Sequence, residues 1–304
     1  MDRNFVYNNI VKIVGEENVQ CDVPMSRYCT FRTGGNAAVF ASPGSASQMM
    51  NIVNFAKLSN VPYYVIGNGS NLLVDDQGYD GLIIHIGKNM SKVDVVDNVV
   101  IAMAGATLAK VASVSLEHGL GGLEFASGIP GTVGGAVYMN AGAYGGEMKD
   151  VVTATTYVDK SGHMGMVRGE EHNFGYRKSV FGEGDVILMT TFELEYGDKD
   201  EISAKMADFN QRRKDKQPLE MPSAGSTFKR PEGYFAGKLI EDCGLRGYSI
   251  GGAQVSEKHC GFVVNKGCAT TKDILDLIAH IQDTVFKKFG VRLETEVKYL
   301  GGKQ

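Results

Sequence analysis

Three short segments of this chain hold residue types that do chemistry. Tyr176-Arg-Lys-Ser179 follows Phe174-Gly175 in a turn, and an arginine placed there can clamp a carboxylate through two parallel hydrogen bonds. A lone turn arginine is as readily a solvated surface residue. Pro222-Ser-Ala-Gly-Ser-Thr-Phe-Lys-Arg-Pro231 sets Ser226 in a glycine-flanked turn between prolines, either as a positioned hydroxyl or as a plain turn former. Leu293-Glu-Thr-Glu-Val297 puts Glu294 and Glu296 on one face of an alternating strand, where a carboxylate pair either reacts or simply faces water. A fourth segment, 119–146, has ten glycines in 28 residues and Glu124 as its only charge. Main chain of that kind comes within contact distance of a bound group with its N–H donors unshielded, which suits a phosphate or a flat ring. A flexible linker is the bland reading, but linkers lack the Phe125, Ile129, Val133, Val137, Tyr138 and Met139 found here. Those side chains need something to bury them.

The elements that position these residues follow from spacing. Ser45 to Asn60 carries Met49, Ile52, Val53 and Ala56 at helical intervals behind capping serines, and Pro62 ends the helix. Tyr63-Tyr-Val-Ile66 reads as a buried strand, then Gly67-Asn-Gly-Ser-Asn71 as a turn. Leu72-Leu-Val74 and Gly81 to Ile86 continue as strands around a turn at Asp75 to Gly78. The glycine turn therefore joins strand to strand, which argues against a Rossmann dinucleotide site, whose glycines precede a helix. A strand at Val99 to Ala104 leads to a helix from Thr107 that stops at His118-Gly119. Strands follow at Val151 to Val158, Gly165 to Val167 and Val186 to Tyr196. Tyr196 to Glu201 marks a domain boundary by its change of composition. Glu201 to Lys216 is a helix with Ile202, Met206 and Phe209 inward, and Phe235 to Gly244 a second, short one. A third runs from a Thr271 cap, with Asp273 and Asp276 in its first turn, to Gly290. Strands at Gly261 to Asn265 and Arg292 to Leu300 flank it, so the whole is a mixed α+β chain.

Composition bounds the function. The 304 residues are enough for two or three domains, and a net charge of −4 from 31 basic and 35 acidic residues gives no global field for nucleic acid or an anionic membrane. No apolar run nears 18 residues and the N-terminus lacks a leader pattern, which predicts a cytoplasmic protein. Five cysteines without a C-x-x-C pair argue against disulfides and a zinc site.

Together the motifs resemble the UDP-N-acetylenolpyruvoylglucosamine reductase family, also called UDP-N-acetylmuramate dehydrogenases, the FAD enzymes of bacterial peptidoglycan synthesis. The resemblance runs through Phe31-Arg-Thr-Gly-Gly35, Gly67 to Asn71, Glu124-Phe-Ala-Ser-Gly-Ile-Pro-Gly131, Asn140-Ala-Gly-Ala-Tyr-Gly145, Tyr176 to Ser179, Ala224-Gly-Ser-Thr-Phe-Lys229, Gly251-Gly-Ala-Gln-Val255 and Leu293 to Val297. Each motif is weak alone; their order and spacing are specific. Arg177-Lys-Ser-Val-Phe181 reaches the strand at Val186 without an insertion, as in the family's shorter class, which lacks a substrate-capping tyrosine loop.

That resemblance implies a two-lobed FAD-binding domain of the vanillyl-alcohol-oxidase-like type, with lobes at 1–87 and 88–198, and a smaller α/β substrate domain at 199–304. It implies that Gly67, Asn68, Gly69, Ser70 and Asn71 hold the FAD pyrophosphate. Ser127, Gly128, Ile129, Pro130, Gly131, Gly134 and Gly135, with Asn140, Ala141 and Gly142, surround the isoalloxazine. Tyr144, Tyr176, Arg212 and Lys216 meet the nucleotide-sugar substrate, and the i,i+4 spacing of Arg212 and Lys216 puts both cations on one helix face; Arg213 and Lys214 are as readily solvated. Arg177 and a protonated Glu296 stabilise developing charge while Ser226 delivers a proton. By the same resemblance FAD is non-covalent and NADPH is the reductant, with no metal, nucleic acid, membrane or obligate protein partner. Two other classes fit parts of the pattern: an FAD oxidase of the same fold, with or without a histidine-linked flavin, and a non-catalytic nucleotide-sugar binding module.

Overall fold

Polar caps set where the helices begin, and apolar spacing sets which face they bury. The computed structural model describes residues 1–301. Helix α1 (Arg3–Val14) starts where the Asp2 carboxylate accepts the Phe5 N–H at 3.0 Å, and it buries Val6, Ile10 and Val14. Sequence analysis assigns no element there, although the spacing of these three residues is helical. In α2 (Ala46–Leu58) the Ser45 hydroxyl accepts the Gln48 N–H, and Met49, Ile52, Val53 and Ala56 are buried as expected.

One sheet takes four strands in the order Val19–Pro24, Asn36–Ala41, Tyr79–His85 and Tyr63–Ile66. Its last two pair in parallel, Tyr63 opposite Leu82. Five antiparallel strands form the second sheet, in the order Met164–Arg168, Val152–Val158, Val186–Glu193, Val99–Met103 and Val93–Val96. Alternation along Val99–Met103 buries Val100 and Ala102. Helix α3 (Leu108–Glu117), capped by Thr107, buries Leu108, Val111, Ala112 and Ser115. The six-residue α4 (Val133–Tyr138) lies inside the glycine stretch, and α5 (Lys199–Lys216) begins two residues before the predicted start.

The chain divides into two compact units, one of residues 1–21, 39–68 and 81–213, the other of 22–38, 69–80 and 214–304. The first has a continuous apolar core that includes Ile52, Leu82, Ile84, Val100, Val111, Val137 and Phe192. In the second, α6 (Ala236–Asp242) buries Leu239 and Ile240, and α7 (Thr271–Phe289) buries Ile274, Leu277, Ile278, Ile281 and Val285. The cap of α7 is Thr270, whose hydroxyl accepts the Asp273 N–H while the Asp273 carboxylate accepts the Thr270 N–H. Thr271, the predicted cap, is buried and donates its hydroxyl to Val74 O. Its N–H and that of Lys272 go to the Asp76 carboxylate, an anion at the positive end of the helix. Gly290, with φ 70°, closes the C-terminus. The expected strand from Arg292 shortens to Lys298–Leu300, which pairs in parallel with Leu72–Val74. No helix among the described residues is long and apolar enough to cross a membrane.

Burial pushes His85, His172 and His259 below the ordinary imidazole value of 6.5. Each therefore takes up a proton less readily in the fold than in the unfolded chain. Stability from these groups is complete above about pH 6.5 and is lost as pH falls through their lowered folded values. The melting temperature should accordingly be lower at pH 5.5 than at pH 7.5; an equal or higher value at pH 5.5 would contradict this.

Candidate active site

In the first unit the strand Tyr63–Ile66 delivers Gly67 against Thr132. A Cβ on Gly67 would lie 2.2 Å from Thr132 Oγ1, so this approach requires glycine. Asn68 Nδ2 donates to Pro130 O at 3.0 Å, tying the turn to the glycine stretch. The stretch is fixed in turn by Leu108 N–H to Gly131 O (3.1 Å), Val133 N–H to Ala106 O (2.9 Å) and Gly134 N–H to Ala104 O (2.9 Å). What remains open matters more. The main-chain N–H groups of Gly67 and Asn68, and those of Gly128, Gly131, Thr132 and Gly135, donate to no other described residue. Oriented donors with so little side chain around them match the acceptors of a pyrophosphate and a flavin edge. Gly134, whose N–H is spent on Ala104, offers only its lack of a side chain.

In the second unit the rest of the turn, Gly69 to Asn71, likewise keeps its N–H groups unspent. Gly69 has φ 59°, and a Cβ there would lie 1.9 Å from Tyr28 O. Thr30 donates its N–H to Gly69 O at 3.2 Å and keeps a buried hydroxyl with no partner. A buried hydroxyl with no protein partner beside open N–H donors suits an anionic group. The residues present fit FAD.

The second unit also carries two of the predicted reacting groups on one short ladder. Lys229 N–H donates to Glu294 O and Glu296 N–H to Thr227 O, both at 2.9 Å, with Phe228 bridged to Thr295. Thr227 is fully buried and locked: its N–H goes to Gly261 O and its hydroxyl accepts the Val263 N–H, each at 2.9 Å. His259 Nδ1 accepts the Gly261 N–H at 3.0 Å. Exposed Ser226 thus sits on rigid backbone, and half-buried Glu296 is held one ladder step away. Asn71 Nδ2 donates to Glu296 O at 3.1 Å, and Lys298 N–H to Asn71 O at 2.9 Å. Ahead of the strand Lys298–Leu300, the Glu296 carbonyl is thus taken by a side chain and not by a strand neighbour. Glu294 is exposed and pairs with Lys229 at 3.1 Å, an ion pair worth at most about 1 kcal/mol.

Arg177, in the first unit, lies at the tip of a turn closed by Gly175 N–H to Lys178 O and Lys178 N–H to Gly175 O. Its φ of 55° is unusual for a residue with a side chain, and its guanidinium lies 5.1 Å from the Tyr176 ring. Tyr176 is exposed. Tyr144, also at positive φ, tips the small hairpin Gly142–Ala143/Gly146–Glu147 and stacks on Phe209 at 4.7 Å. Ala141 N–H is spent on Ala136 O, and Ser127 and Ile129 are likewise bonded back, to Glu124 O and Ala126 O. Asn140 is bonded within the protein at its main-chain N–H and at both ends of its amide.

Helix α5 docks on the glycine stretch through Lys205 to Glu124 (3.3 Å) and Asn210 Nδ2 to Ser127 Oγ (3.3 Å). Of its two arginines, Arg212 is exposed and paired with Asp208 at 2.7 Å. Arg213 is half-buried beside Tyr144; burial pushes its guanidinium down, and no carboxylate among the described residues pairs with it. A desolvated, unpaired arginine is an anion site in waiting. Sequence periodicity cannot choose between adjacent arginines such as Arg212 and Arg213. Lys216 is exposed at the end of the helix.

Comparison with known proteins shows the family. A family model described as UDP-N-acetylenolpyruvoylglucosamine reductase, C-terminal domain, matches residues 217–300, and one described as FAD binding domain matches 37–166. A UDP-N-acetylenolpyruvoylglucosamine reductase of Clostridioides difficile (strain 630) is 48% identical over 302 residues, covering 99% of each chain. The crystal structure of UDP-N-acetylenolpyruvylglucosamine reductase from Thermus caldophilus aligns with TM-score 0.81 at 35% identity, over 93% of this chain and 98% of that one. A VAO-type flavoprotein from Myceliophthora thermophila C1 aligns with TM-score 0.50 at 13% identity, over 63% of this chain and 47% of that one, a likeness of fold alone. The chain belongs to the UDP-N-acetylenolpyruvoylglucosamine reductase family.

Proposed function

We propose that this chain reduces the enolpyruvyl group of UDP-N-acetylglucosamine enolpyruvate to the lactyl ether of UDP-N-acetylmuramate, in the cytoplasm, during peptidoglycan synthesis. Family membership sets the reaction, and the observation that carries it on this chain is the set of unspent N–H donors at 67–71 and at 128, 131, 132 and 135. FAD, held without a covalent link at 67–71 and 127–135, would supply the two-electron chemistry by which a hydride from NADPH reaches the alkene carbon distal to the carboxylate. The carbon beside the carboxylate then gathers enolate charge. Arg177 and the neutral acid form of Glu296 stabilise that charge and the adjoining carboxylate, an oxyanion-type role. Ser226 gives its hydroxyl proton to the carbon and recovers one from water. A serine hydroxyl is a weak acid, but an enolate of a carboxylate is a stronger base still.

The division of labour follows the segments. Gly67 to Asn71 cradle the pyrophosphate; 127–135 with Ala141 and Gly142 border the ring; residues after 198 take the nucleotide-sugar, with Tyr144 and Tyr176 contributing from the preceding segment. Arg212 and Lys216 meet its diphosphate, and Arg213 joins them. Steady-state kinetics test this. Arg212→Ala with Lys216→Ala should raise the KM for the enolpyruvyl nucleotide far more than that for NADPH. Arg213→Met should raise it further than Arg212→Ala, because Asp208 already neutralises Arg212. Equal changes in both KM values would place these cations elsewhere.

A further inference from the structure

Arg177 is held in a backbone conformation it does not prefer. A left-handed φ costs a side-chain-bearing residue about 1–2 kcal/mol, and such strain persists where the surroundings over-determine it. Two side chains do so here. Asn140 is fully buried, itself at φ 44°, and its Nδ2 donates to Gly175 O at 3.0 Å and to Glu147 Oε2 at 2.9 Å, while its Oδ1 accepts the Lys149 N–H at 2.9 Å. Ser179, on the far side of the turn, donates its hydroxyl to Tyr138 O at 2.6 Å. Gly175 and Ser179 bracket Arg177, and they are stapled to Asn140, just past α4, and to Tyr138, its last residue. Glu147 lies within electrostatic reach of the guanidinium: burial raises its carboxyl, but bonds from Lys149 and Asn140 and the charges of Lys149 and Arg177 leave it below the ordinary value.

We propose that Asn140, with Ser179, is a positioning residue for Arg177: the two hold the turn 175–178 so that the guanidinium meets the substrate, and Asn140 is not a flavin contact. The proposal rests on the charge-stabilising role of Arg177 given above. An Asn140→Ala chain loses the donor to Gly175 O and also frees Glu147 and the Lys149 N–H, and a guanidinium displaced by about 1 Å loses on the order of a hundredfold in rate. Ser179→Ala loses one staple and should cost less, a few-fold.

A double-mutant cycle tests this on the FAD-loaded enzyme. The readouts are bound flavin and the stopped-flow rate at which the enolpyruvyl nucleotide reoxidises the reduced enzyme. Asn140→Ala should keep its flavin and slow reoxidation by roughly tenfold to a hundredfold. In an Arg177→Ala background the same change should add less than about twofold, since a residue acting through Arg177 has nothing left to position. A structural role would instead multiply the two losses. Should Asn140→Ala not fold, Ser179→Ala carries the same cycle with the same expectation of non-additivity. Multiplying losses, or loss of flavin from Asn140→Ala, would overturn the proposal. If Arg177→Ala alone leaves reoxidation at the wild-type rate, the role of Arg177 fails, and the positioning proposal with it; a slow Arg177→Ala with additive partners sinks the positioning alone.

Discussion

In Ser226→Ala, reoxidation of the reduced flavin by the enolpyruvyl nucleotide is expected to fall by roughly a hundredfold to ten-thousandfold, the loss typical of a positioned acid. Reduction of the flavin by NADPH should stay near its wild-type rate, because that step delivers no proton to carbon. The structure makes the contrast clean. Ser226 follows Gly225, which has φ 74° and open space around it, and precedes the locked Thr227, so removing one exposed hydroxyl disturbs little. Ser226→Cys should recover part of the rate, as a thiol still donates. Both half-reactions slowed together would make Ser226 a binding contact. Neither slowed would make it a turn residue and pass the proton to Glu296 or water.

The second large effect falls on the cofactor. Gly67→Ala should give folded protein that binds FAD roughly ten to a hundred times more weakly, the equivalent of about 1–3 kcal/mol of overpacking strain. The new Cβ meets Thr132 Oγ1 at 2.2 Å and Thr132 Cγ2 at 3.1 Å, and Thr132 is buried and β-branched, with little freedom to turn away. The turn must therefore lift, carrying its N–H donors out of place. Adding Thr132→Ala removes both γ atoms and should restore part of the affinity. Full flavin content in Gly67→Ala, with an unchanged melting temperature, would contradict the close approach.

What the sequence made legible was local. Caps and apolar spacing place α2 and α3 to within a residue or two, and Tyr63–Ile66 and Leu72–Val74 form as read. The α1 helix carries the same signal, Asp2 ahead of Val6, Ile10 and Val14. Adjacent identical residues defeat spacing arguments: Thr270 caps where Thr271 was expected, and Arg213 is half-buried where Arg212 was favoured. Long-range pairing is harder still. That Leu72–Val74 takes Lys298–Leu300 as its partner, or that Asn71 holds Glu296, depends on contacts between distant segments that no periodicity encodes. Asn140 shows the limit of motif reasoning, which marks a residue as belonging to a site but not which neighbour it serves.

The central claim is that bound FAD passes electrons from NADPH to the enolpyruvyl nucleotide. An anaerobic absorption spectrum of the purified protein reads this directly. The account predicts flavin bands that NADPH bleaches and stoichiometric UDP-N-acetylglucosamine enolpyruvate restores, with the flavin released to the supernatant on acid precipitation. Bands that bleach with NADPH but return only when oxygen is admitted, or flavin that stays in the acid pellet, would contradict it and favour an oxidase.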